Sequence, residues 1–88
     1  MTIVPFEDSP PNSDTVTPYD ESHFVTYLRI LDAAEEGADW SEVASIVFGI
    51  DAAAEPERAR LVHSSHLARA RWMTDHGYKH LLDKARKH

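Results

Sequence analysis

Three glycines constrain the fold of this chain more than any other feature, because each stands where an apolar helical pattern stops. Gly37, Gly49 and Gly77 are the only glycines in its 88 residues. Glycine readily adopts the left-handed conformation that commonly follows the last turn of a helix. No segment shows the apolar–polar alternation of a strand. The sequence therefore predicts an all-α fold of four helices.

The first helix is expected from about Tyr19 or Ser22 to Glu36, with Asp20 as its N-cap. Apolar residues recur along it at spacings of three and four, which places them on one face. These residues are Phe24, Tyr27, Leu28, Leu31 and Ala34.

The second helix is expected over residues 40–48, after Asp39 as N-cap. Glu42 follows three residues later, as in a capping box. Its buried stripe is predicted to contain Trp40, Val43, Ala44, Val47 and Phe48.

The third helix is predicted from Pro56, which suits a first turn, to His76. Val62, His66, Ala70 and Met73 lie along one face, with Leu61, Ala68 and Trp72 alongside. The last helix should extend from Tyr78 to about Lys87. We expect four large side chains to be mostly buried: Trp40, Val47, Leu67 and Leu82.

Residues 1–17 have the composition of a disordered acidic tail, which leaves residues 18–88 as one helical domain. The tail contains three of the five prolines, and its apolar residues have no period. Two alternatives stay open for Ile3, Val4 and Phe6: they dock on the body or on a partner, or they belong to a frayed terminus.

Charge is distributed unevenly along the chain. Residues 1–57 contain 13 acidic residues and one basic residue, whereas residues 58–88 contain two acidic and eight basic residues. Such a division is typical of an interaction surface. Attraction between the two halves within one compact fold explains it equally well.

Composition and motifs argue against several classes of protein. The chain has no cysteine, no apolar run of about 20 residues and no secretory signal, so a cytoplasmic protein without membrane contact is expected. The histidine pairs 63/66 and 76/80 lack an accompanying carboxylate motif, and the sequence Ser64-Ser65-His66 is not a catalytic triad. We therefore expect no metal, no cofactor and no enzymatic activity.

Several blocks of residues occur in the order found in a known family. They are residues 27–33 (YLRILDA), 37–44 (GADWSEVA) and 65–73 (SHLARARWM), then Gly77-Tyr78 and Leu81-Leu82. Together they resemble a family of small bacterial helix-turn-helix domains that is described as similar to the DNA-binding domain of type VI secretion transcription factors. The resemblance covers residues 18–82. It implies that the second and third helices form the helix-turn-helix.

That family contains transcriptional activators and also QseM-type antiactivators, which the chain resembles. The resemblance implies an antiactivator that binds and inhibits an activator carrying a homologous domain, and that controls excision and conjugative transfer of a mobile element under quorum sensing. The free protein is expected to be a monomer. Trp, Tyr and Arg dominate interface hot spots, so the candidate partner-binding residues are Arg58, Arg60, His66, Arg69, Arg71, Trp72 and Tyr78.

The alternative function is DNA binding by the third helix, which would be the recognition helix. Arg58 and Arg60 lie in its first turns, but Glu55 and Glu57 beside them would repel phosphate. The first two helices are acidic, so the composition disfavours direct DNA recognition. A structural adaptor that self-associates head to tail is a third reading.

Overall fold

Four α-helices and no strand form the part of the chain that the computed structural model describes, residues 6–76. The helices are α1 (Pro18–Ser22), α2 (Phe24–Glu35), α3 (Trp40–Phe48) and α4 (Pro56–Asp75). The all-α prediction is confirmed, and α3 and α4 match their predicted bounds. The helix expected from Tyr78, with Gly77 and Leu82, lies outside the described residues. No helix within residues 6–76 has the length and apolar character that a membrane span needs.

The predicted first helix is wrong as a continuous element, because it breaks at His23. The backbone N–H of His23 donates to the carbonyl of Asp20, while its ring Nδ1 lies 2.7 Å from the carbonyl oxygen of Tyr19. The ring thus takes the carbonyl that a continuous α-helix would pair with the His23 N–H. The chain turns there, and α2 begins at Phe24.

Asp20 is not the N-cap of the first helix, which corrects the prediction. Thr17 caps α1, and its side chain accepts a hydrogen bond from the Asp20 N–H. Asp20 completes a capping box, since its carboxylate accepts from the backbone N–H of Thr17 at 2.9 Å. This places the Asp20 side chain in the interior, where it is fully buried.

The ends of α2 and α3 follow the sequence signals closely. Gly37 has φ +75° and Gly49 has φ +67°, so both predicted stops are confirmed. Asp39 caps α3 as expected, but it accepts from the N–H of Ser41, two residues on. The capping box predicted with Glu42 is not formed.

Two apolar clusters form the core between α4 and the helices α2 and α3. One contains Ile30, Val43, Ala44, Phe48, Ile50, Ala59 and Val62, and the other contains Tyr27, Leu28, Ala70 and Met73. The predicted inner face of α4 is confirmed, because Val62, His66, Ala70 and Met73 are all completely buried. The fully buried Ile30 was not in the predicted face of α2.

Some residues are more exposed than predicted. Leu61 is 50% exposed, and Ala68 is also exposed, because the face of α4 that carries them points away from α2 and α3. Trp40, Val47 and Leu67 are only partly buried and pack against the outside of the first cluster.

Residues 6–17 have no helix or strand, but they contact the helical body. Phe6 packs against the first cluster, which answers the question that the sequence left open for this side chain. The boundary of the domain at residue 18 stays a prediction. We refer to residues 6–15 as the strap, because they lie along α4.

Candidate partner-binding surface on the longest helix

Helix α4 presents three faces to three different environments. Its core face packs against α2 and α3. A second face, with Arg58, Ser65 and Arg69, contacts the strap. The third face, the open face, consists of exposed residues that recur at spacings of three and four, namely Arg60, Leu61, Ser64, Ala68 and Arg71.

Arg69 is held in the interior by an ion pair with Asp20. Its Nε and Nη2 atoms donate to the two carboxylate oxygens at 3.0 and 2.6 Å, in a bidentate arrangement. Its Nη1 and Nη2 atoms also donate to the carbonyl oxygens of Ser13 and Thr15. One guanidinium therefore joins α4 to α1 and to the end of the strap.

The protonation equilibria around this pair are strongly shifted. Burial raises the pKa of Asp20, but hydrogen bonds from Arg69, Thr17 and Tyr27 outweigh it and lower the pKa to about 2. Burial, together with the hydrogen bond that its hydroxyl donates to Asp20, raises the pKa of Tyr27. The hydrogen bond to Asp20 raises the pKa of Arg69 further. The pair is thus ionised at neutral pH.

This geometry corrects the expectation that Arg69 contacts a partner. Its side chain is buried and its donors are used inside the molecule, so a partner on the surface cannot reach it.

His66 is likewise corrected from a partner contact to a core residue. Its Nδ1 lies 2.7 Å from the carbonyl oxygen of Val62, and its Nε2 lies 2.6 Å from the hydroxyl of Tyr19. Because a carbonyl oxygen only accepts, Nδ1 carries the N–H, and in the neutral ring Nε2 accepts the hydrogen bond that the Tyr19 hydroxyl donates. Burial lowers the pKa of His66, in agreement with this tautomer.

Arg58 is exposed but engaged with carboxylates. Its Nε donates to Asp8 of the strap at 3.0 Å, and its Nη1 lies 3.6 Å from Glu55. The guanidinium also lies 5.7 Å from the centre of the Phe6 ring. The positive charge of Arg58 in the first turn of α4 is therefore largely neutralised by acidic neighbours.

Arg60 and Arg71 lie on the open face, as partner contact requires. The Arg60 guanidinium lies 5.2 Å from the centre of the Trp40 ring, which ties α4 to the start of α3. Arg71 is near His63, whose pKa is lowered by burial and then by the Arg71 charge. The residues of the open face between these two arginines are Leu61, Ser64 and Ala68, which are apolar or have small side chains.

Trp72 is partly buried beside the strap face. The Arg69 guanidinium lies 4.0 Å above its ring centre, and the His76 ring stacks on it at 4.6 Å. Trp72 therefore covers the buried ion pair, and its role in partner binding stays a prediction. Tyr78 lies outside the described residues.

The sequence predicted Asp20 as an N-cap and Tyr27 as an apolar-face residue. It did not predict that Asp20, Tyr19 and Tyr27 form the hydrogen-bonded network that holds Arg69 and His66 of α4. One local signal was available for Arg69, which stands three residues after His66 and four before Met73, within the buried stripe. No local signal pairs it with Asp20, 49 residues earlier. Across residues 6–76, no group of three or more His, Asp or Glu side chains is placed to hold a metal ion.

Most of the chain matches a known protein family. Residues 5–83 match the family described as the type VI secretion system transcription factor DNA-binding domain. The chain therefore belongs to this family of transcription factor DNA-binding domains. No curated protein matches the chain.

Proposed function

We propose that this family member is an antiactivator that binds a transcriptional activator carrying a related domain and keeps it from activating its promoters. Membership of a transcription factor family supports a role in transcriptional regulation. The resemblance of the chain to QseM-type antiactivators within that family supports inhibition of the activator over activation. On the same ground we propose that the controlled genes serve excision and conjugative transfer of a mobile element.

The proposal rests mainly on one observation, which is how the four arginines of α4 are buried or paired. Arg69 is buried with Asp20, and Arg58 pairs with Asp8 and Glu55. Only Arg60 and Arg71 remain on the open face, about three helical turns apart. Duplex binding depends on several cations that neutralise phosphates, so α4 is poorly charged for a recognition helix.

The open face has the chemistry of a protein contact. Leu61 is half exposed and is followed on the same stripe by the small residues Ser64 and Ala68. Small side chains let another helix approach closely, and the two arginines at the ends supply orientation. A related domain of an activator is the proposed occupant, and the free protein is proposed to be a monomer.

Co-purification tests the proposal. A tagged form of the 88-residue chain is expected to retain an activator of this family from a nuclease-treated lysate that contains both proteins. Leu61→Glu should abolish retention, because it places a charge in the apolar centre of the open face. Val25→Glu is the matched control, since Val25 is exposed to a similar extent on α2 and should leave retention unchanged. Failure of the parent chain to retain the activator would contradict the proposal.

DNA binding is the second candidate, and the family match itself favours it. Arg58 and Arg60 occupy the first turns of α4, where a recognition helix meets base edges. If the chain binds DNA, Arg60→Ala should weaken duplex affinity and lower the dependence of log affinity on log salt by about one. Fluorescence anisotropy of a labelled duplex at several salt concentrations measures both quantities. Equal affinity for parent and variant would exclude this function.

A further inference from the structure

The first residues of the strap occupy a defined seat on the helical body. The Phe6 ring meets Phe48 edge-on at 4.9 Å and lies 6.4 Å from the ring of His66. Two residues later, the carboxylate of Asp8 pairs with Arg58. The seat thus holds an aromatic side chain and an acidic side chain at a fixed spacing.

The seat also binds the backbone between these two side chains. The N–H of Glu7 donates to the hydroxyl of Tyr19 at 3.1 Å, and the hydroxyl of Ser65 donates to the carbonyl oxygen of Asp8 at the same distance. The body thus forms hydrogen bonds with a backbone donor and a backbone acceptor of the strap. Proteins recognise extended peptides through backbone hydrogen bonds of this kind. We call the five groups on the body the front seat: Tyr19, Phe48, Arg58, Ser65 and His66.

The contacts of the front seat are weaker than those at the other end of the strap. The side chains of Arg58 and Asp8 are 42% and 52% exposed, and such exposed pairs contribute little to stability. Residues 9–14 line an open cavity of about 310 Å³ together with Ser65, Ala68, Arg69 and Trp72. The carbonyls of Ser13 and Thr15, by contrast, are fixed by the buried Arg69. The ion pair of Arg69 with Asp20 uses no atom of residues 6–8, so release of these residues would leave it intact.

We propose that the front seat is a peptide-binding site for an extended segment of another protein that carries phenylalanine and, two residues later, an acidic residue. The chain's own residues 6–8 are an intramolecular competitor for this site. Because they are tethered, they act at a high effective concentration and mask the site. The site goes beyond the proposed function, and it uses none of the residues of the open face.

A binding measurement with a synthetic peptide tests the site. The probe is a dye-labelled peptide of residues 3–12, followed by fluorescence anisotropy with the full 88-residue chain as receptor. The double variant Phe6→Ala with Asp8→Asn removes the competitor and should bind the probe about tenfold tighter than the parent. Adding Arg58→Glu to this receptor should abolish the gain, because the carboxylate of the probe loses its partner.

Controls on both molecules separate the site from general attraction. Glu7→Gln in the receptor changes the tail charge as Asp8→Asn does. Because Glu7 is exposed and Arg58 pairs with Asp8 and Glu55 instead, the affinity should equal that of the parent. A probe with alanine in place of phenylalanine should not bind the double variant. If the double variant is unfolded by circular dichroism, Asp8→Asn alone keeps Phe6 and should still gain about threefold.

Two results would overturn the proposal. One is that the double variant, or Asp8→Asn in its place, binds the probe no tighter than the parent. The other is that the alanine probe binds as tightly as the original. Either result would mean that residues 6–8 are only part of the fold.

Discussion

At the residue scale, the four arginines of α4 show how environment divides one residue type among different roles. Arg69 is a buried structural cation, and Arg58 is paired with the strap. Arg60 and Arg71 are exposed on the open face. The sequence predicted all four as surface residues, because their charge outweighed their position in the helical period. The partner of Arg69 could not be predicted, since Asp20 is brought to it only by the tertiary fold.

Replacing Arg69 with alanine is expected to destabilise the protein severely. The substitution leaves the buried Asp20 carboxylate without its cation, and breaking a buried pair in this way costs about 3–5 kcal/mol. Arg71→Ala is the control, because it removes an arginine side chain from the exposed face of the same helix. It should change the free energy of unfolding by less than about 0.5 kcal/mol. Urea unfolding followed by circular dichroism compares them. Similar losses for both variants would contradict the ion pair.

The burial of His66 leads to the prediction that the stability of the protein depends on pH. Burial lowers the pKa of His66 in the folded protein, whereas the unfolded chain keeps the ordinary value of about 6.5. As the pH falls through 6.5, the unfolded state therefore takes up the proton first, and stability is lost. Urea unfolding at pH 7.5 and at pH 5.5 should show this loss in the parent and a smaller loss in His66→Gln. An equal loss in both would mean that His66 is not the group responsible.

At the element scale, caps and helix stops predicted α3 and α4 well, whereas two side-chain contacts that the periodicity does not show, one local and one long-range, caused the errors in the first helix. The bounds of α3 and α4 follow from Asp39, Gly49 and Pro56, which act on their own neighbours. The break between α1 and α2 does not, because the ring of His23 competes for the carbonyl of Tyr19. Asp20 in turn is held by Arg69, from the far part of the chain. The helical periodicity of the apolar residues predicts neither the break at His23 nor the contact between Asp20 and Arg69.

The end of α2 gives a prediction at this scale. Gly37 has φ +75°, and a Cβ built there meets nothing within 4 Å. Gly37→Ala should therefore cost only the left-handed conformation itself, about 1–2 kcal/mol. Gly37→Asn is the matched control and should cost less, because asparagine tolerates this conformation better. Thermal unfolding ranks the three proteins, and an alanine variant as stable as the parent would show that the helix ends differently.

At the scale of the whole molecule, part of the charge asymmetry is used inside the fold. Asp8 and Asp20, from the acidic half, pair with Arg58 and Arg69 of α4. Attraction between the halves is therefore one real consequence of the asymmetry. It also engages two of the four arginines of α4 within the fold, Arg69 in the interior and Arg58 at the surface. What remains on the outside of α4 is a narrow stripe, which we propose binds another protein.

Promoter activity in cells tests most directly whether this stripe serves antiactivation. A reporter driven by an activator with a related domain is measured with and without the 88-residue chain. The parent chain and Val25→Glu should both lower reporter activity to the level seen without the activator, while Leu61→Glu should leave it high at equal protein abundance. Full reporter activity in the presence of the parent chain, or repression by Leu61→Glu as strong as by the parent, would contradict the account.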